Sequence, residues 1–152
     1  MRVAEYLDEF AGTWAGQNNL RMMPDDDFAT SPSTVVVTSA AGANVVTLSY
    51  TWSDFDGVPQ DGLLLLGDGP LPGQAAAVWV DSWHQQPQWT TLAGSVSAQR
   101  LSVATTYGEG DQQGGWHIHI HLDQPEMLVM TMDNEMGHSG QYEVVRSVWR
   151  RT

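Results

Sequence analysis

The stretch Val45-Val46-Thr47-Leu48-Ser49-Tyr50-Thr51-Trp52-Ser53 decides the fold class. Val46, Leu48, Tyr50 and Trp52 occupy one face of an extended chain, and Thr47, Ser49, Thr51 and Ser53 occupy the other. Successive side chains of a strand point to opposite faces, so this alternation marks a strand buried on one side. Downstream, Asp54 to Gly57, Pro59 and Asp61-Gly62 supply turn chemistry, and Leu63 to Leu66 is an apolar run stopped by Gly67-Asp68-Gly69-Pro70. The same period predicts strands over 75–83, 89–96, 101–107, 115–122, 127–133 and 142–149, and two weaker ones over 13–20 and 34–38. Upstream the period changes: Val3, Tyr6, Leu7 and Phe10 have helical spacing, and Gly12 ends the helix.

About ten short strands joined by short turns read as an all-β fold, an antiparallel up-and-down β-barrel of about 8–10 strands behind a short N-terminal helix. Closure is favoured because it removes exposed strand edges. The expectation is a single domain over residues 1–152, a length at which one core buries about two thirds of the unfolded surface.

Composition narrows the chemistry. The chain carries 6 basic and 18 acidic residues, a formal net charge of -12. Every basic residue is arginine, and neither lysine nor cysteine occurs. Schiff-base lysines, phosphate-loop lysines, thiol nucleophiles, thiolate ligands and disulfides are therefore excluded. A polyanion repels phosphate backbones and anionic bilayers, so neither nucleic acid nor a membrane is expected as a partner. No apolar run approaches the roughly 20 residues of a spanning helix, and Glu5 falls where a signal peptide would continue apolar. The expectation is a cytoplasmic monomer or homodimer. Seven tryptophans are many for this length and imply a large aromatic core or an aromatic-lined pocket.

The segment Gly12-Thr13-Trp14-Ala15-Gly16 after a short helix resembles the opening of a calycin, the superfamily of lipocalins and fatty-acid-binding proteins. In such barrels an arginine of the last strand covers the tryptophan ring. The resemblance implies that Arg146, or Arg150, of the final strand lies over Trp14 as a cation–π lid. More narrowly, Val78-Trp79-Val80-Asp81-Ser82-Trp83-His84 and the arginine-terminated last strand are similar to small bacterial lipocalin-like domains of unknown function. This implies a barrel with an interior cavity and does not specify the chemistry.

Two clusters could carry function. In Trp116-His117-Ile118-His119-Ile120-His121 the three histidines share a face opposite Ile118 and Ile120. At a rise of about 3.3 Å per residue, neighbouring histidines lie about 6.6 Å apart and the outer pair about 13 Å, so one ion could take two of them. A metal site would need another strand's donor, of which His84, His138, Asp81, Glu126 and Asp133 are the available kinds. The alternatives are a pocket-lining role and a solvent-facing one with both isoleucines in the core. Trp79, Asp81 and Trp83 also share a face. Inward, Asp81 would be a desolvated carboxylate between indoles; otherwise Val78 and Val80 enter the core and Asp81 is solvated.

The expected function is binding of a small, partly apolar ligand inside the barrel. Tyr50, Trp52, Trp79 and Met130 would form the walls, and Asp81 or His119 would orient the ligand. The alternative is a barrel enzyme or metal-binding protein that uses His117, His119 and His121 with Asp81. No catalytic set or cofactor is legible.

Overall fold

The computed structural model describes residues 1–124, 126–137 and 140–152, without the side chains of Gln85 and Gln86. Helix α1, Val3–Leu7, continues as a 3-10 turn, Asp8–Phe10. Ten strands follow among the described residues: β1 Gly12–Leu20, β2 Ala29–Ala40, β3 Val45–Ser53, β4 Pro59–Asp68 and β5 Gln74–Asp81 in the first half, then β6 Gln85–Val96, β7 Leu101–Tyr107, β8 Gly114–Gln124, β9 Met127–Met136 and β10 Gly140–Arg151. Each pairs antiparallel with its neighbour in sequence, and β1 pairs with β10 to close the barrel. The all-β barrel expected from alternation is the fold.

Alternation sets what faces inward. Val46, Leu48, Tyr50 and Trp52 of β3 are each 3% exposed or less, and Ile118 and Ile120 of β8 are fully buried. Leu64, Leu66, Leu101, Val103, Leu128, Met130 and Met132 complete a continuous core. No helix among the described residues is long and apolar enough to cross a membrane.

Helix α1 stoppers one end of the barrel. Its apolar side buries Val3, Tyr6 and Leu7, the Val3 amide donates to Asp68 Oδ1 at 2.8 Å, and the Tyr6 hydroxyl reaches the Ile120 carbonyl. At this end Trp14 is fully buried and its Nε1 donates to the Phe10 carbonyl. The cation over its ring is Arg151, 4.2 Å from the ring centre, which corrects the expected role of Arg146. The reason is the period of two. Trp149 and Arg151 share the inward face, and Arg151 is the register partner of Trp14. Arg146 and Arg150 fall on the opposite face, where Arg146 Nη1 lies 3.6 Å from Glu143 Oε2. Arg151 also donates to the carbonyls of Glu9 and Ala11, tying the last strand to the helix.

Candidate functional site

The site lies at the opposite end of the barrel, where β5 leads into β6. The sequence predicts a strand running to Trp83, but β5 stops at Asp81, and Ser82 to His84 form a turn. Asp81 causes the break. Its Oδ1 accepts the backbone N–H groups of Trp83 and His84, at 2.8 and 3.1 Å, a short-range bond that competes with a continued ladder. Oδ2 accepts the Tyr50 hydroxyl at 2.7 Å and Trp52 Nε1 at 3.3 Å, and the Tyr50 oxygen in turn accepts Trp79 Nε1 at 2.8 Å. Asp81 is 1% exposed, so the inward alternative holds for Trp79 and Asp81. Burial, reinforced by the Asp81 charge, pushes the Tyr50 phenol well above its ordinary value and keeps it a proton donor. Gly62, the register partner of Tyr50, leaves room for the ring: a Cβ there would come within 2.2 Å of the tyrosine Cζ and Oη.

The turn delivers His84 into a group of four indoles. Its ring stacks on Trp52 at 5.3 Å between centroids, meets Trp83 edge-on at 5.0 Å, and tilts against Trp79 and Trp116 at 5.7 and 5.6 Å. Trp79 and Trp116 are themselves stacked, 5.4 Å apart and 5° from parallel. Trp116 Nε1 is buried with no hydrogen-bond partner among the described residues. A buried donor without an acceptor is rare in folded proteins and costs about 1–3 kcal/mol.

Trp79, Trp83, Trp116 and the His84 ring form the floor of a cavity of about 560 Å³, with Trp52 behind them. Four of the seven tryptophans line it, namely Trp79, Trp83, Trp89 and Trp116, with His84 beside them. Its flanks come from a split in the barrel wall. Among the described residues β6 and β7 pair only from Ala93↔Ala104 to Val96↔Leu101, whereas β7 stays paired with β8 out to Tyr107↔Gly114. Past Leu92 the two strands separate, and Thr90 and Thr91 on one side face Thr105, Thr106 and Tyr107 on the other across the cavity. Met22, Asn134 and Val144 complete the lining, which among the described residues contains no Asp, Glu or Arg. Trp89 is 73% exposed at the rim.

Burial also holds the His84 imidazole below its ordinary value, against the pull of Asp81. It is neutral at pH 7, and protonation is less favourable folded than unfolded. The stability this neutral form contributes is therefore present above the unfolded value near 6.5 and lost as pH falls through the folded one. Burial lowers His121 in the same sense, so comparison with a His84 variant isolates His84. The expected result is that the stability difference between wild type and His84→Gln shrinks as pH is lowered from about 7.5 to about 5. Denaturant midpoints across that range check this, and a growing difference would refute it.

The outer face of the barrel holds the histidine strand. With Ile118 and Ile120 inward, His117, His119 and His121 point out, so His119 does not orient an interior ligand, which corrects that expectation. His117 Nε2 lies 2.8 Å from Glu135 Oε2; His119 Nδ1 lies 2.8 Å from Ser102 Oγ and its Nε2 3.7 Å from Asp133. Burial alone would raise the Asp133 carboxyl, but the nearby His119 and His117 imidazoles and the hydrogen bond from Gln141 take it below its ordinary value. Among the described residues no three His, Asp or Glu side chains converge as metal ligands; His138 lies outside them.

Of the other expected wall residues, Trp79 lines the cavity, Tyr50, Trp52 and Asp81 form the hydrogen-bonded layer behind it, and Met130 packs in the core. Sequence reasoning named His84 only as a possible metal donor, because strict alternation sends it to the opposite face, and missed Trp116, whose cue was its place at the head of the histidine strand. The threonines of the split carried no cue beyond strand composition.

Residues 3–151 match a family described as "Protein of unknown function (DUF1579)". The chain is similar to the crystal structure of Rv2717c from M. tuberculosis, with 14% identity over 99% of this chain and 98% of that one and a TM-score of 0.66. It is also similar to a redesigned β-barrel, at 13% identity over 99% and 96% of the two chains with a TM-score of 0.49. No curated protein matches the sequence. The likeness to the M. tuberculosis protein is one of fold.

Proposed function

For this chain, which belongs to the DUF1579 family of unknown function, we propose that the barrel binds a small, partly apolar molecule in the cavity at the end away from the helix. The observation that carries this reading is the aromatic cavity of about 560 Å³ opening through the split between β6 and β7. Small-molecule sites are typically concave and largely apolar, with a few placed polar groups. Here the apolar part is the Trp79–Trp116 stack. The polar part is the Trp116 N–H, unpaired among the described residues, with the His84 ring and the threonine hydroxyls. The Trp14–Arg151 lid at the far end supports the calycin resemblance, in which one end is closed and the other admits the ligand.

Intrinsic fluorescence tests the reading, because four indoles line the cavity. A panel of lipids, haem and neutral, cationic and anionic metabolites should contain members that shift or quench the emission saturably. Since the chain lacks cysteine, Thr106→Cys can be labelled uniquely at the split with a bulky maleimide. The label should slow association of each hit at least about tenfold, the scale on which steric access alters association. If no panel member perturbs the emission, or the labelled protein binds hits as fast as the unlabelled one, the proposed site is wrong.

A further inference from the structure

We infer that the molecule taken by this cavity is an organic cation, a quaternary or fully substituted ammonium head on a small apolar body; this rests on the cavity being a ligand site.

Three observations converge. First, the walls are aromatic. Trp79, Trp83, Trp89 and Trp116 line the space, with Tyr107 at its flank, and indole is the ring that attracts a cation most strongly. Second, the charge behind the floor is unbalanced. Asp81 is 1% exposed and every donor it accepts is neutral: a phenol, an indole N–H and two backbone amides. No arginine pairs with it among the described residues, and the chain has no lysine. The carboxylate lies close behind the cavity, since the backbone amides of Trp83 and His84, two lining residues, donate to it and a third, Trp79, reaches it through the Tyr50 hydroxyl. Third, the formal net charge of -12 draws cations toward the protein from a distance and repels anions.

Among the described residues the protein supplies no cation here: the cavity lining has no arginine, and the imidazole of His84 is kept neutral by burial. The objection that an environment hostile to imidazolium should reject any cation fails on hydrogen bonding. An imidazolium has two N–H donors that must be satisfied, and the His84 ring has no hydrogen bond among the described residues. A quaternary ammonium has no donors to strand. It loses less hydration on burial and offers methyl groups to the indole faces.

The test uses a matched pair, choline and its neutral isostere 3,3-dimethylbutan-1-ol, titrated into the full chain and followed by NMR at the indole N–H resonances. Choline is expected to bind about tenfold more tightly than the alcohol and to move the Trp79 and Trp116 signals. Trp116→Leu, which keeps apolar volume and removes a π face, should abolish most of that preference while leaving the alcohol's affinity within about threefold. Equal or tighter binding of the alcohol, or a preference unchanged by Trp116→Leu, overturns the inference. So does binding of neutral or anionic panel members when neither probe binds, in which case the cavity reading stands. Failure of every panel member and both probes overturns both.

Discussion

Replacing Asp81 by alanine is expected to destabilise the protein by about 3 kcal/mol or more and to change its tryptophan emission. The carboxylate is the acceptor for the Tyr50 hydroxyl, the Trp52 indole and the Trp83 and His84 amides. Its removal leaves four donors facing a hole, and each buried donor without a partner costs about 1–3 kcal/mol. The sum is discounted because water can enter from the adjacent cavity and because an isolated buried carboxylate is itself costly. For a domain of this size about 3 kcal/mol corresponds to a fall in Tm of roughly 6–12 °C. Asp81→Asn keeps the shape but turns an N–H₂ toward donors, and should lose about 2 kcal/mol. Both variants free the 82–84 turn, so the His84 ring leaves its indoles and the emission shifts. Thermal and denaturant unfolding give the magnitude. A loss under about 0.5 kcal/mol for alanine would mean that the turn is held by something other than Asp81.

A comparable or larger loss is expected from adding one methyl group at Gly16. This residue sits on the closing seam, paired with Trp149. A Cβ there would stand 1.9 Å from the Val148 carbonyl oxygen and 2.9 Å from the Trp149 Cα. Both are backbone, so no rotamer change relieves the contact and β1 must part from β10. Trp149, fully buried and donating to Ser33 Oγ, moves with it. Gly16→Ala should cost about 3 kcal/mol or more, at the upper end for overpacking. Gly137→Ala serves as the control, since nothing among the described residues lies within 4 Å of its added Cβ, and should stay within about 0.5 kcal/mol of wild type. Equal midpoints for the two variants would sink the idea that close approach at Gly16 sets the seam.

The contrast between these positions shows how much of the molecule was legible in the chain. The alternation of Val46, Leu48, Tyr50 and Trp52 placed a core face without reference to any other strand, because a period of two is a property of one extended segment. The same logic buried Ile118 and Ile120, and it would have paired Trp14 with Arg151 had the parity of β10 been followed from Trp149. Failure came where a local side chain interrupts the period. Asp81 hydrogen-bonds its own backbone two and three residues on, the strand ends, and His84 turns to the face that alternation denies it.

Strand pattern, acidic balance and the absence of lysine and cysteine were therefore determined by the sequence alone, since each is local or additive along the chain. The split between β6 and β7, the four indoles around His84 and the unpaired N–H of Trp116 were decided by the tertiary structure. They join residues from β3, β5, β6, β7 and β8 and from the 82–84 turn, whose positions depend on register and on where pairing stops. Those are relations between strands, and no single strand encodes them.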